Sequence, residues 1–213
     1  MIYNFLHIIK KAKNFHIFYF LILTSIFYTS FLIFYLSYDI VQSPDFEKYV
    51  QYLFFYDGQL TSTGLEQGNL YFYLSYLLSF LVYKFIPNLT TNEIVNISIH
   101  SLNSLVIIFG IIGLFKYLSI KDFQKKNIYK SIILIIFLPQ LTVLRLSFKP
   151  EILAFAFLGW LFYLLEKYKN NKVENYLFQF VLLLAILFTS KVSTALMVGL
   201  VLLIEIMFRH KYL

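Results

Sequence analysis

Between Leu70 and Ile86 the chain reads LYFYLSYLLSFLVYKFI, and whether this stretch crosses a membrane decides how the whole molecule is arranged. It is almost entirely apolar. At a helical rise of about 1.5 Å per residue, however, it is short for a hydrocarbon core of roughly 30 Å. Tyr73, Tyr76 and Tyr83 recur along it at near-helical spacing, which suits a helix lying at the level of the lipid headgroups. Six further apolar runs flank it: Phe15–Tyr38, Ile94–Leu118, Ser131–Leu144, Ile152–Leu165, Tyr176–Ser190 and Val192–Phe208.

Composition agrees with a chain built of such runs. Of 213 residues, 60% are hydrophobic, 21% aromatic and only 14% charged. Soluble domains are about 45–50% apolar and about a quarter charged, so a soluble globular class is excluded, as are disordered and collagen-like chains. With 0 Cys the chain has no disulfide framework, no thiolate metal site and no cysteine nucleophile. A net charge of +7 in a soluble protein would point to nucleic acid. Here the basic residues form short clusters between apolar runs, so they report membrane topology and no nucleic-acid partner is expected.

Those clusters decide the reading of Leu70–Ile86. Lys10, Lys11 and Lys13 precede the first run, which is too long for a cleaved signal and reads as a retained anchor with the N-terminus inside. If all seven runs cross, 7 of the 18 basic residues lie inside and 11 outside, against the positive-inside bias. If Leu70–Ile86 stays on the outer side, 13 lie inside and 5 outside. The expectation is therefore an all-α polytopic membrane helix bundle. It has six transmembrane helices, one external interfacial helix, both termini in the cytoplasm, and a place in the plasma membrane (the inner membrane of a bacterium).

This arrangement leaves one sizeable external region, Asp39–Glu93, rich in carboxylates. Arg145, Lys149 and Glu151 fall at the outer ends of the third and fourth spans, and Lys191 between the fifth and sixth. Singly, such residues snorkel to the interface. Together, three cations and a carboxylate on one rim facing an acidic loop have the composition of an anion site with acid–base capacity. His100 and Asn103, with Asn96, Ser101 and Ser104, make the second span polar enough to predict hydrogen bonding between helices. Glu205 and Arg209, four apart, pair favourably on the last span. No phosphate-cradling glycine loop, His-x-x-x-His spacing or Gly-x-Ser-x-Gly elbow is present, which argues against nucleotide-driven chemistry, zinc proteolysis and serine hydrolysis. The only candidate ligands for a divalent metal are the loop carboxylates.

Four segments, in order, resemble the GT-C superfamily of membrane glycosyltransferases, in particular the protein O-mannosyltransferase and lipid A aminoarabinose transferase branch. Ser43-Pro44-Asp45-Phe46-Glu47-Lys48-Tyr49 is similar to the Pro-Asp-x-x-x-Tyr start of the family's first external loop. Glu66-Gln67-Gly68-Asn69-Leu70-Tyr71 is similar to the segment that opens its juxtamembrane helix, with Gln67-Gly68 in place of the family's Lys/His-Pro. Lys149-Pro150-Glu151 resembles the element before the fourth span, and Thr189-Ser190-Lys191 the Thr-Lys motif between later spans.

The resemblance implies transfer of a sugar from a polyprenyl-phosphate donor to an acceptor at the outer membrane face. It implies Asp45 as general base, Glu66 as a second catalytic carboxylate, and Arg145, Lys149 and Lys191 as partners of the donor phosphate. The whole chain, 1–213, then corresponds to a single transmembrane module. The family's C-terminal part is expected to be absent, or supplied by a partner chain. The other reading is a non-catalytic truncated module that acts as a scaffold or lipid carrier. For topology, a cysteine placed near Lys125 in this cysteine-free chain should resist an impermeant maleimide in intact cells and react after permeabilisation. Labelling from outside would overturn the six-crossing arrangement.

Overall fold

The computed structural model describes residues 19–20, 22–32, 70–121 and 123–210. The described residues are all-α, in eight helices: α1 (22–32), α2 (Leu70–Phe85), α3 (Thr91–Ile120), α4 (Lys125–Ile136), α5 (Pro139–Leu146), α6 (Ile152–Asn171), α7 (Glu174–Ser190) and α8 (Val192–His210). By length and hydropathy, α3 is able to cross a membrane unaided, and the bent pair α4–α5 meets the same test as one broken unit. Shorter apolar helices make up α2, α7 and α8.

Each boundary has a local cause. Pro87 ends α2 and opens the turn to α3. The α3 start is closed by a capping box in which the Glu93 backbone N–H donates to the Thr90 hydroxyl and the Thr90 backbone N–H donates to the Glu93 carboxylate at 2.8 Å. The expected third span, Ser131–Leu144, is not one straight helix. It breaks at Phe137-Leu138 with a bend of 52°. Pro139 is the reason: it has no N–H and its ring excludes the carbonyl four residues back, so it occupies the first turn of a new helix. The Ile135 carbonyl, which would have met that clash, accepts from the Leu138 N–H at 3.1 Å.

At the centre α3 and α6 run parallel. Gly110 lies against Phe155 and Ala156, Gly113 against Trp160, Tyr117 stacks on Phe162, and Lys121 pairs with Glu166 at 3.0 Å. The glycines let the backbones approach as side-chain-bearing residues cannot. A Cβ on Gly159 would stand 2.5 Å from the Leu114 backbone nitrogen and 2.9 Å from the Gly113 carbonyl carbon. The Trp160 indole N–H donates to the Phe109 carbonyl at 2.9 Å and the ring stacks on Phe109 at 5.1 Å. That locks the register of the pair.

Around this axis α2 folds back on α3 as a helical hairpin. The Tyr71 end of α2 meets Asn103, and the Tyr83 end shares a groove with Thr91 and Ile94. Both ends of α2 therefore lie beside the first half of α3. The core is continuous from Tyr71, Phe72 and Phe148 through Ile99, Ile107, Ile111 and Leu161 to Leu187, Ala195 and Val198. Many side chains that face outward are large and apolar, among them Phe27, Phe85, Leu134, Phe178 and Met197, while Ser75, Ser98, His100, Asn103 and Arg145 are buried.

Two glycine substitutions separate contact from helix propensity. Gly159→Ala should destabilise the purified protein by about 1–3 kcal/mol, because the added methyl meets backbone and the helices must part. Gly199→Ala has nothing within 4 Å of the new methyl and should be neutral or stabilising by up to about 1 kcal/mol. Thermal unfolding in detergent compares the two. Equal midpoints would mean that α3 and α6 are not in backbone contact.

Candidate functional site at the start of α6

Three chain segments meet where α5 ends and α6 begins. Leaving α5, the chain passes through residues 147–151, whose carbonyl and amide groups are only partly paired with one another. Ile152 N–H reaches the Lys149 carbonyl at 3.4 Å and Leu153 N–H the Pro150 carbonyl at 3.0 Å. The last carbonyls of a helix have no partner inside it. Here one side chain supplies them. The Asn103 carboxamide nitrogen donates to the carbonyls of Arg145 and Ser147, both at 2.9 Å, and more weakly to that of Leu144 at 3.3 Å.

The other end of the same carboxamide is also used. Its oxygen accepts the Tyr71 hydroxyl at 2.7 Å, and both Tyr71 and Asn103 are wholly buried. The Tyr71 phenol also lies against the Lys149 backbone and feels the Glu151 carboxylate. Burial, above all, pushes that phenol up from the ordinary tyrosine range, and Glu151 acts in the same direction. Tyr71 therefore stays a protonated hydrogen-bond donor. Phe148 and Phe72 pack on its ring, with Phe148 at 5.7 Å, closing this side of the network to water.

Beyond the network stands an ion pair. Glu151 occupies the N-cap position of α6 without a side-chain capping bond, where the helix dipole favours a carboxylate. Lys191 occupies the single extended residue between α7 and α8, with its backbone N–H on the Leu187 carbonyl. Its ammonium donates to Glu151 Oε1 at 2.5 Å across 40 residues of sequence. Glu151 Oε2 is buried and has no hydrogen-bond partner. The pair is thus half-satisfied: a carboxylate oxygen with an open acceptor position stands beside a partly exposed ammonium. Chemically it can take a hydrogen bond or proton on one atom and steady an anion with its neighbour.

The residues singled out from sequence divide accordingly. Glu151 and Lys191 are brought into contact, and Lys149 stands two residues before Glu151 on the same turn. Arg145 is turned away from them and wholly buried. Its guanidinium contacts Ser25 of α1, donating to the hydroxyl at 3.3 Å and, at the limit of bonding, to the carbonyl at 3.5 Å, and it lies over the Tyr28 ring at 4.9 Å. Asp45 and Glu66 lie outside the described residues, as do the other carboxylates considered for a metal between Asp39 and Asp57; the side chains of Glu205 and Arg209 are likewise outside them. Among the described residues no group of three or more His, Asp or Glu is placed to hold a metal ion. Tyr71 was quoted from sequence without a role, and Asn103 only as one polar residue among several. An amide in the middle of an apolar run was the available signal, since such a group needs partners wherever it is buried. Comparison with family models, with curated proteins and with solved structures found no match.

The network predicts a coupled pair of variants. Asn103→Leu removes the donor from up to three carbonyls and should cost about 2–3 kcal/mol, a buried acceptor left bare being expensive. Tyr71→Phe removes one interhelical bond and should cost about 0.6–1.7 kcal/mol, the range of such bonds in helical membrane proteins. The double variant should lose less than the sum, because both changes delete one shared bond. Strict additivity in thermal unfolding would mean that the Tyr71–Asn103 bond is not formed.

Proposed function

We propose that the chain is the transmembrane module of a glycosyltransferase that takes a sugar from a polyprenyl-phosphate donor at the outer membrane face. The observation that carries this reading is the Glu151–Lys191 contact. The two short motifs that resemble the family's loop elements, Lys149-Pro150-Glu151 and Thr189-Ser190-Lys191, are far apart in sequence and meet in the fold. The parallel α3 and α6, with the antiparallel broken unit α4–α5 between them, are compatible with helices that cross a membrane in alternate directions. Over 16 residues α2 extends about 24 Å, and its inner end stops at the level of Asn103.

In this reading the acceptor hydroxyl or amine attacks the anomeric carbon, and the bond from that carbon to the phosphate oxygen breaks. Asp45 takes the acceptor's proton. Glu66 orients the acceptor or the donor. Lys149 and Lys191 steady the departing phosphate. Arg145 has a different part from the one given by the resemblance: buried against Ser25 and Tyr28, it holds α1 to α5 and thereby fixes one wall of the site.

A second reading has one observation in its favour. Lys191 is already neutralised by Glu151, as in a purely structural pair, and the chain would then be a non-catalytic scaffold or lipid carrier. The experiment that separates the two is transfer or hydrolysis of a polyprenyl-phosphate sugar by the purified protein. Asp45→Asn should abolish turnover and leave donor binding nearly unchanged, since the carboxylate is needed for proton transfer alone. Lys191→Ala should weaken donor binding as well as turnover. If Lys191→Ala shifts only the unfolding temperature and leaves donor binding intact, the scaffold reading takes the lead.

A further inference from the structure

The hairpin of α2 and α3 encloses a groove of about 290 Å³ that belongs to neither the Asn103 network nor the Glu151–Lys191 pair. Its size is near the lower end of pockets that hold small molecules, roughly 300–1,000 Å³. Phe80, Leu89 and Ile94 form its apolar wall. Among the described residues, every polar side chain that lines it carries a hydroxyl, from Ser79, Tyr76, Tyr83 and Thr91, and none is charged.

One of those hydroxyls is out of place. Ser79 is 5% exposed, and its Oγ has no hydrogen-bond partner. Buried helical serines nearby do otherwise: Ser75, one turn earlier, donates to the Tyr71 carbonyl at 2.8 Å, and Ser98, across the hairpin, to the Ile94 carbonyl at 2.6 Å. A serine in a helix has its own backbone as the default acceptor, and burying a hydroxyl without a bond is costly. Ser79 lines the groove and leaves that default unused. A ligand oxygen in the groove would satisfy it.

The surroundings identify what kind of ligand. Next to the groove α2 turns Leu77, Leu81 and Phe85 outward, so the approach is across apolar surface. A ligand that reaches the groove that way carries apolar surface of its own. The apolar wall accepts a hydrocarbon chain. Among the described lining residues no cation is present to hold a phosphate or carboxylate, which would shed its hydration against them without compensation. We propose that this groove is a binding site for one chain of a neutral lipid, of the diacylglycerol or long-chain alcohol class, whose ester or hydroxyl oxygen bonds the Ser79 hydroxyl. The site is independent of glycosyl transfer and stands whether or not the chain is catalytic.

The test uses the full chain reconstituted in phosphatidylcholine nanodiscs with a diacylglycerol that carries a photoreactive diazirine in one acyl chain. Cross-links should concentrate between residues 76 and 94. Ser79→Ala should weaken competition by unlabelled diacylglycerol about five- to tenfold, the loss expected for one hydrogen bond. Leu89→Trp, which fills the groove from its wall, should abolish labelling there. A photoreactive phosphatidylglycerol should label the segment poorly. Equal labelling by the anionic probe, or a Ser79→Ala variant that labels and competes as the parent does, would overturn the proposal. Should Leu89→Trp fail to fold, the serine variant and the probe comparison still decide it.

Discussion

The carboxamide of Asn103 closes the end of a helix that is not its own. Where α5 stops, its last carbonyls lack partners inside the helix, apart from a long 3.4 Å bond from the Ser147 N–H to the Leu144 carbonyl. The two N–H groups of this amide serve them, and its oxygen takes the Tyr71 hydroxyl, so α2, α3 and the α5–α6 turn share one set of bonds. The amide can reach only because α3 and α6 are in backbone contact at Gly110, Gly113 and Gly159. That contact sets the depth at which α6 begins, which puts residues 147–151 opposite Asn103. Lys149, Pro150 and Glu151 are carried on the same turn. Small residues at the axis thus determine where the charged residues stand, several turns away.

Which parts of this were legible in the sequence follows from what hydropathy measures. Long apolar runs announce helices, and the runs at Ile94–Leu118, Ile152–Leu165 and Tyr176–Ser190 all lie on helices, the first extended at both ends, the second at its C-terminal end and the third at its N-terminal end. The extension of α6 to Asn171 has a tertiary cause that no window average contains: Glu166 is held by Lys121 from the parallel helix. The break at Phe137-Leu138 was present in the sequence as Pro139, but an apolar average passes over it. For the site, the short spacing of Lys149-Pro150-Glu151 and the isolated Lys191 were visible as costly charges. Their contact was not, because it depends on α6, α7 and α8 packing together. Arg145 lies four residues before Lys149, but α5 ends at Leu146 and the chain is extended at Ser147, so the two do not share a helix face.

The distribution of polarity among the described residues is compatible with a lipid-facing surface. In α2, the buried face carries Tyr71, Phe72, Ser75 and Ser79, and the outward face Leu77, Phe80, Leu81 and Phe85. In water this arrangement would waste apolar area on the solvent while sequestering hydroxyls. It suits a surface that meets other apolar groups, where association rests on close packing and interhelical hydrogen bonds. The same logic accounts for the glycines of α3 and α6. Where the hydrophobic effect does not drive helices together, contact has to come from backbones that fit.

Arg145 is the most expensive group in this interior, and its surroundings show how the cost is met. An isolated guanidinium in a low-dielectric region loses far more in hydration than two long bonds to Ser25 return. The face of Tyr28 at 4.9 Å supplies a further attraction that strengthens when water is absent. Tyr28 is itself held from two sides, by Phe137 at 4.7 Å edge-on and by the Thr142 hydroxyl at 3.2 Å. Both of those residues flank the break between α4 and α5. The bend that Pro139 imposes is what brings Phe137 and Thr142 onto the same ring, and the ring then meets the cation one turn further along α5. A straight helix through residues 125–146 would turn these groups to different faces. The kink and the buried charge are therefore one device: the proline shapes the pocket in α1 and α5 that makes the arginine tolerable, and the arginine ties α1 to the short helix that the proline detached.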